Sequence, residues 1–323
     1  MPLFEDLTAA LARATAAHAL VILVHTDPDA DAIGAALAMR SYFISQNPDG
    51  PEPIIWLPGV SLDRFRYLPD YDVIVTDRFV PKATMALALD CATQGRLSGH
   101  LPASVPCINW DHHSDNTRYG TYNFIDGSMS SMGEFVTHYF DAIQYHPTAD
   151  QATQLYTALV YDTGRFAFSN VTEKTLLMAA KLVKYGALPE PITQALYHTQ
   201  SVAGLKTVGL VISRLVRNRQ HRYVYSYIQA SEPLVSQDAL DSMRTLKNAR
   251  VMLLFRAVSS DQKSDEAKVK ISFRSVPPVD IATFAHQFNG GGHKYAAGAV
   301  IPGTLETVMP TVLTALDAYL TGV

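Results

Sequence analysis

Val21-Ile22-Leu23-Val24-His25-Thr26-Asp27-Pro28-Asp29-Ala30-Asp31-Ala32-Ile33-Gly34 is the stretch on which the architecture turns. Its first four residues read as a buried strand, and Ala32 to Ile44 reads as the helix that follows. Pro28 stiffens the loop between them. His25, Asp29 and Asp31 therefore gather where a strand ends and a helix begins, and Asp29 and Asp31 can point the same way, one toward each of two cations. Asp27 is the poorer ligand, because an acid before proline commonly opens a turn through its own backbone.

Working outward, the same grammar repeats. Ile54 to Leu57, Val73 to Thr76, Ala86 to Leu89 and Val105 to Trp110 are further strand candidates between helical stretches. This alternation predicts an α/β fold with a mainly parallel sheet flanked by helices on both faces. In such sheets ligands sit beyond the carboxyl ends of the strands. Asp90 follows one apolar run, Asp111-His112-His113 another, and Asp162 ends the helical stretch from Ala152. One acidic cluster is usually a solvated face. Four clusters, each closing an apolar element, point to a two-metal hydrolytic site.

On the residues alone, Asp77 competes with Asp90 for the role of a carboxylate between two ions, since both follow strand candidates. Adjacent histidines on an extended segment face opposite ways. One of His112 and His113 can therefore ligate while the other meets substrate or Asp111, a carboxylate suited to orienting an imidazole. Asp162 would complete the second ion's shell. Ser131-Met132-Gly133-Glu134 matches a helix capping box, with Ser130 or Ser131 alternatively a substrate contact.

The pattern changes past Pro189–Gly204, where a hinge is expected. We read residues 1–190 as a metal-binding catalytic domain, 191–205 as a linker and 206–323 as a smaller α/β substrate-binding domain, with the active site in the cleft between the two. In the second, Arg222 to Ile228, Val251 to Val258 and Lys268 to Arg274 read as strands, the last two joined as a hairpin through Ser259 to Ala267. Ile281 to Phe288 reads as a helix. Gly290, Gly291 and Gly292 form a glycine loop whose amides could cradle a phosphate, Arg274 could clamp one, and His293 could add a donor.

Composition agrees with this division. Of 323 residues 48% are hydrophobic and 17% charged, as in ordinary globular domains. The net charge of −4 hides an asymmetry: residues 1–205 hold 12 Lys+Arg against 21 Asp+Glu, and residues 206–323 hold 14 against 9. An acidic half suits cations and a basic half suits an anionic substrate. Cys91 and Cys107 lack zinc-type spacing and read as buried thiols of a cytoplasmic protein. Glu5 and Asp6 stand where a leader peptide needs positive charge, so the Ala-rich start reads as a helix. No apolar run approaches the ~18 residues of a membrane span.

The motifs in order resemble those of the DHH-family phosphoesterases. His25-x-x-x-Asp29-x-Asp31-Ala32-Ile33-Gly34 matches the first motif, Asp90 the second, Asp111-His112-His113 the third and Asp162-Thr163-Gly164 the fourth. Phe273-Arg274-Ser275 and Gly290-Gly291-Gly292-His293 match the DHH-associated C-terminal domain. Ala30 stands where many members carry Gly, and Cys91 where Thr is frequent, both small enough to spare the loops.

The resemblance implies His25, Asp29 and Asp90 on one ion and Asp31, Asp90, His112 and Asp162 on the other. It implies two Mn2+ ions, with Mg2+ allowed by the donor set. It makes His113 and Asp111 the catalytic pair, and Arg274, Ser275, Gly290, Gly291, Gly292 and His293 the substrate contacts. The nearest subgroup is the bacterial short-oligoribonuclease and pAp phosphatase type (pAp is 3′-phosphoadenosine 5′-phosphate). Its substrates are short RNA or DNA oligonucleotides and nucleotide bisphosphates, and homodimers occur in the family. The alternatives are a cyclic or linear dinucleotide phosphodiesterase, a RecJ-like exonuclease, or a noncatalytic nucleotide sensor. A dinucleotide-dependent oxidoreductase is disfavoured because β-strand residues 21–24 lead into His-Thr-Asp-Pro-Asp, not a glycine-rich turn.

Overall fold

A computed structural model describes residues 2–78, 80–100, 102–258 and 267–322. The chain divides into two compact units, Met1–Thr199 and Gln200–Val323. The first contains α1 (Pro2–Thr15), β1 (Leu20–Leu23), α2 (Ala30–Gln46), β2 (Ile54–Ile55), β3 (Met85–Leu89), β4 (Cys107–Asp111), β5 (Tyr122–Ile125), α3 (Met132–Ala142), α4 (Ala149–Asp162), α5 (Glu173–Lys184) and α6 (Pro189–Tyr197).

Its sheet is wholly parallel, in the order β2-β1-β3-β4-β5. The chain steps from β1 outward to β2, then returns to β1's other side as β3. The connections leaving β1 and β3 therefore diverge, which opens a crevice at their carboxyl ends. Leu20, Ile22, Leu87, Leu89, Ile108 and Trp110 face a large core shared with the helices. The alternate residues Val21, Leu23 and Ala88 pack instead with Trp56, Cys91 and Leu97, supplied by loops. The predicted second helical layer is thus replaced by irregular segments on that face.

α2 is buried around most of its circumference, as its Ala-rich sequence allows. Gly34 lets it approach α4: a Cβ there would stand 2.3 Å from the Gln154 carbonyl oxygen. Gly133 plays the same part for α3 against α4, where a Cβ would meet the Leu155 oxygen at 2.6 Å.

Three expectations in this unit need correction. Val73 to Thr76 forms no strand; Tyr71–Val73 is a short 3-10 turn and only Val75 bridges, to Trp56. The strand β5 comes from Tyr122–Ile125, a segment whose half-polar pattern did not read as one. Much of the predicted linker is helical, occupied by α6 and by the first turn of α7. Cys91 is buried and Cys107 half-buried, and burial pushes both thiols up to about 11, which makes them poor nucleophiles.

The second unit contains α7 (Val202–Ser213), β6 (Val216–Asn218), β7 (Tyr223–Ile228), α8 (Ser236–Arg244), β8 (Val251–Val258), β9 (Lys268–Ser275), α9 (Ile281–His286), β10 (Gly291–His293), β11 (Ala296–Pro302) and α10 (Leu305–Thr321). Its mixed sheet runs β10-β11-β9-β8-β7-β6, with β7 and β8 parallel and the other neighbours antiparallel. Alternation along β8 explains its layers. Val251, Leu253 and Phe255 face α9 and α10, while Met252 and Leu254 face α7 and α8. The predicted hairpin segment 259–266 lies outside the described residues. Among the described residues, no helix is long and apolar enough to cross a membrane.

Candidate metal centre

The four separated sequence clusters converge at the carboxyl end of the parallel sheet. His25 follows β1, with its backbone bridged to Leu97. Its Nε2 stands 3.9 Å from Asp29 Oδ2 and 3.7 Å from Asp90 Oδ2. Asp29 is the N-cap of α2: its Oδ1 accepts from the Asp31 and Ala32 amides at 3.0 and 3.1 Å. Helix capping thus orients the carboxylate and leaves Oδ2 directed at His25.

Asp31 lies in the first turn of α2 but is held by the start of another helix. The Met132 amide donates to its Oδ2 at 2.7 Å and the Gly133 amide to its Oδ1 at 2.9 Å. The first amides of α3 have no partners within their own helix, so they suit a buried anion. Burial, with Asp90 and Asp162 nearby, still raises the Asp31 carboxyl well above its ordinary range.

Asp90 follows β3 with φ at 54°, a left-handed conformation that side-chain-bearing residues rarely adopt. Its Oδ2 faces His25, and its Oδ1 lies 3.3 Å from His112 Nε2 and 3.5 Å from His113 Nδ1. Burial alone would raise this carboxyl; the His112, His113 and His25 rings around it pull it below the usual range. His112 also lies 3.6 Å from Asp31 Oδ2 and 3.5 Å from Asp162 Oδ2. Its Nδ1 is 3.3 Å from the Met129 carbonyl, which fixes that nitrogen as the donor and turns Nε2 toward the carboxylates. Burial opposes protonation of His112, but the surrounding Asp90, Asp162 and Asp31 raise it well above 6.5.

Asp162, the last residue of α4, is pushed up to about 7 by burial and by the neighbouring Asp29 and Asp90 charges, against the opposing pull of His112. Asp111 is fully buried and its oxygens are committed. Oδ1 accepts from the His112 amide at 2.8 Å and meets His113 Nδ1 at 2.7 Å; Oδ2 accepts from Asn116 Nδ2 at 2.6 Å. Asp111 therefore orients His113, and one of its oxygens also lies within 4.8 Å of an Asp90 oxygen.

Three groups of donors lie close enough together to hold a cation: Asp90, Asp111, His112 and His113; His25, Asp29 and Asp90; and Asp31, His112 and Asp162, the last beside Asp90 Oδ1. Asp90 Oδ1 and His25 Nδ1 are buried and make no hydrogen bond. A carboxylate oxygen left unpartnered among acids whose protonation is favoured is a deficit of positive charge, and the oxygen–nitrogen donor set suits Mn2+ or Mg2+. The residues fit divalent metal.

The choice between Asp77 and Asp90 is settled by placement. Asp77 is exposed and outside the cluster, because the segment before it is not a strand. Asp27 is 84% exposed and faces Arg64 at 3.6 Å. The capping box is half formed. Ser131 accepts from the Glu134 amide, but the Glu134 carboxylate reaches back one residue further to the Ser130 amide and hydroxyl, and to Thr175.

That network contains residues the sequence did not flag. Asn170 donates to both the Ser130 and the Asp162 carbonyls. Residues 129–133 thus touch Asp31 through two amides and His112 through a carbonyl, and Asn170 ties them to Asp162. Asn116 bonds the Cys91 carbonyl, Asn109 and Asp111 together. Asn116 and Asn170 stand in polar loop segments without ligand-like spacing, so no sequence signal singles them out, while Glu134 was legible only as a helix cap.

In the second unit two predicted roles change. Gly291–His293 is an edge strand paired with β11, and the Gly290 amide donates to the Ala285 carbonyl, so these glycines do not form a free loop of amides. Ser275 is buried and its hydroxyl donates to the Val279 carbonyl at 2.8 Å, so it braces the turn after β9. Arg274 is half-buried on the face of β9 opposite Phe273. Gly290 and Gly292 are needed for packing: a Cβ would stand 2.3 Å from the Gly298 oxygen and 2.5 Å from the Ala296 oxygen respectively.

Residues 19–161 match the model of the DHH family, N-terminal domain, and residues 220–322 that of the DHHA1 domain. The bifunctional oligoribonuclease and PAP phosphatase NrnA of Thermus thermophilus is 30% identical over 94% of this chain and 90% of its own length. The Bacillus subtilis protein of the same name is 26% identical over 87% and 89%. An exopolyphosphatase-related protein from Bacteroides fragilis superposes with a TM-score of 0.87 at 24% identity, covering 99% of this chain and 97% of that one, and so shares the fold.

Proposed function

Because the chain belongs to the DHH family, with both its N-terminal and its DHHA1 domain, we propose that it is a phosphoesterase that cleaves short oligonucleotides and pAp to nucleoside 5′-monophosphates. The names of its Thermus and Bacillus relatives support that substrate class. The observation that carries the reaction type is Asp90, whose two oxygens face His25 on one side and His112 on the other, with Oδ1 unpartnered. His25, Asp29 and Asp90 would hold one ion; Asp31, Asp90, His112 and Asp162 would hold the second, with Mn2+ the activating metal. When bound, such a pair supplies a water acidified toward neutral pH and neutralises charge on the phosphoryl oxygens.

The chain's own groups prepare that chemistry. His113 is raised above 6.5: burial opposes this, but the Asp111 hydrogen bond and the Asp90 charge prevail. With Nδ1 held by Asp111, His113 would turn Nε2–H to a nonbridging phosphate oxygen as charge develops there. Asp111 keeps the ring in that tautomer, and Asn116 keeps Asp111 in place. In the second unit Arg274 would grip a further phosphate, assisted by β10 with Gly290, Gly291, Gly292 and His293.

Hydrolysis of pAp, dinucleotides, longer RNA and cyclic dinucleotides, each with added Mn2+ and with Mg2+, tests the proposal. Turnover of pAp and dinucleotides ahead of long RNA is expected. Exclusive turnover of cyclic dinucleotides would establish the phosphodiesterase alternative, and no turnover of any would leave a nucleotide-binding role.

A further inference from the structure

Beside the candidate metal centre, the first unit contains a cavity of about 590 Å³. Asp29 forms part of its wall, so a group in the cavity is a neighbour of the His25 and Asp29 donors. The rest of the wall includes Arg64, Arg66, Tyr67, Tyr161 and Leu196. All lining residues lie within the first unit, and apart from Asp29 and Ala30 none belongs to the sequence motifs described above.

The charges of this wall cancel: Asp29 and Asp63 stand against Arg64 and Arg66. Nor are the guanidinium groups free to clamp a phosphate. Arg64 bonds the Pro28 carbonyl, lies 3.6 Å from Asp27 and stacks over Phe65 at 4.8 Å. Arg66 pairs with Asp63 at 2.6 Å. What remains toward the cavity is aromatic and aliphatic. Tyr161 is 39% exposed, large for an aromatic ring in a helix, and sits next in sequence to Asp162. Tyr67 also lines the cavity and is half-buried. A volume of this size suits a ligand the size of a nucleoside.

We propose that this cavity binds the nucleobase of one nucleoside flanking the scissile phosphate, held against the Tyr67 and Tyr161 rings. The inference rests on the phosphoesterase reading and adds to it a base-binding pocket within the catalytic unit. Flat aromatic faces accept any base, so the pocket would confer preference for nucleotides over simple phosphate esters without selecting a sequence. Arg64 acts at one remove: by bonding Pro28 and Asp27 it ties the pocket wall to the loop that carries Asp29.

The test compares the full chain with the Tyr67→Leu, Tyr161→Leu double variant. Substrates are a dinucleotide and two analogues, each lacking one base. The variant should raise KM for the dinucleotide about tenfold, with kcat nearly unchanged, a size set by base stacking. One abasic analogue should show the same KM with both proteins. An unchanged dinucleotide KM, or an equal penalty on both abasic analogues, would overturn the pocket. Equilibrium binding of a fluorescent etheno-adenosine monophosphate in the presence of a chelator provides a readout independent of hydrolysis. Wild type should bind about tenfold more tightly than the variant; equal affinity overturns the inference. Absence of all turnover with that affinity difference intact would instead sink the phosphoesterase reading while leaving the pocket standing.

Discussion

Asp90 combines three properties that are each costly: deep burial, a left-handed backbone and an oxygen without a hydrogen bond. Such costs are tolerated where a cation compensates them. Asp90→Asn should lower Mn2+-supported turnover by more than about a hundredfold, since even partners one bond removed from a metal are worth 10–100-fold. Calorimetric titration should show fewer ions bound by the variant; wild-type stoichiometry and turnover would remove Asp90 from the centre. The protonation of its neighbours gives a second expectation. In the metal-free chain Asp162 stands at about 7 and is partly protonated near neutrality, and His112 and Asp31 are shifted in the same direction, well above their ordinary values. Ligation requires the deprotonated forms. Ion uptake at pH 7 should therefore release protons, and affinity should rise as pH rises through 7. Titrations in buffers of different ionisation enthalpy measure this directly, and an observed heat independent of buffer would contradict it.

Among elements, the start of α3 is the part on which the centre leans most. Its amides hold Asp31, the residues just before it hold His112, and Asn170 joins them to Asp162. Asn170→Ala should weaken Mn2+ binding by roughly 10–100-fold with helix content unchanged. An unaltered dissociation constant would show that the ligand loop holds itself. The close packing of α2 on α4 is a separate matter of stability. Gly34→Ala forces a methyl against the Gln154 carbonyl and should cost about 1–3 kcal/mol in denaturant unfolding. A neutral result would mean the two helices can separate without loss. At this scale the sequence was partly legible. β1, β3 and β4 are strongly apolar and bounded by polar loops, so their periodicity was unambiguous. Val73–Thr76 misled because an apolar run of that length also suits an extended segment that joins a sheet by a single bridge, as Val75 does to Trp56, and β5 was missed because three of its four residues are only half-buried.

For the whole molecule, the division of charge parallels the proposed roles: the acidic first unit holds the donor clusters that could take a cation, and the basic second unit carries Arg274. Arg274→Ala should raise KM for dinucleotides several-fold and leave Mn2+ affinity as in wild type. Steady-state kinetics beside calorimetry separate the two, and an unchanged KM would remove Arg274 from substrate recognition. The amino-acid order alone determined the α/β class and the family and picked out the six side chains that the fold brings together, because hydrophobic period and motif order are local properties of a chain. It did not distinguish Asp77 from Asp90 by chemistry, foresee Asn116 and Asn170 as supports, or show that Ser275 and the Gly290 amide bond within the fold. Those outcomes depend on which backbone groups lack partners once distant segments pack together. Only the tertiary structure decides this, because a hydrogen bond between residues forty or a hundred positions apart leaves no trace in local sequence pattern.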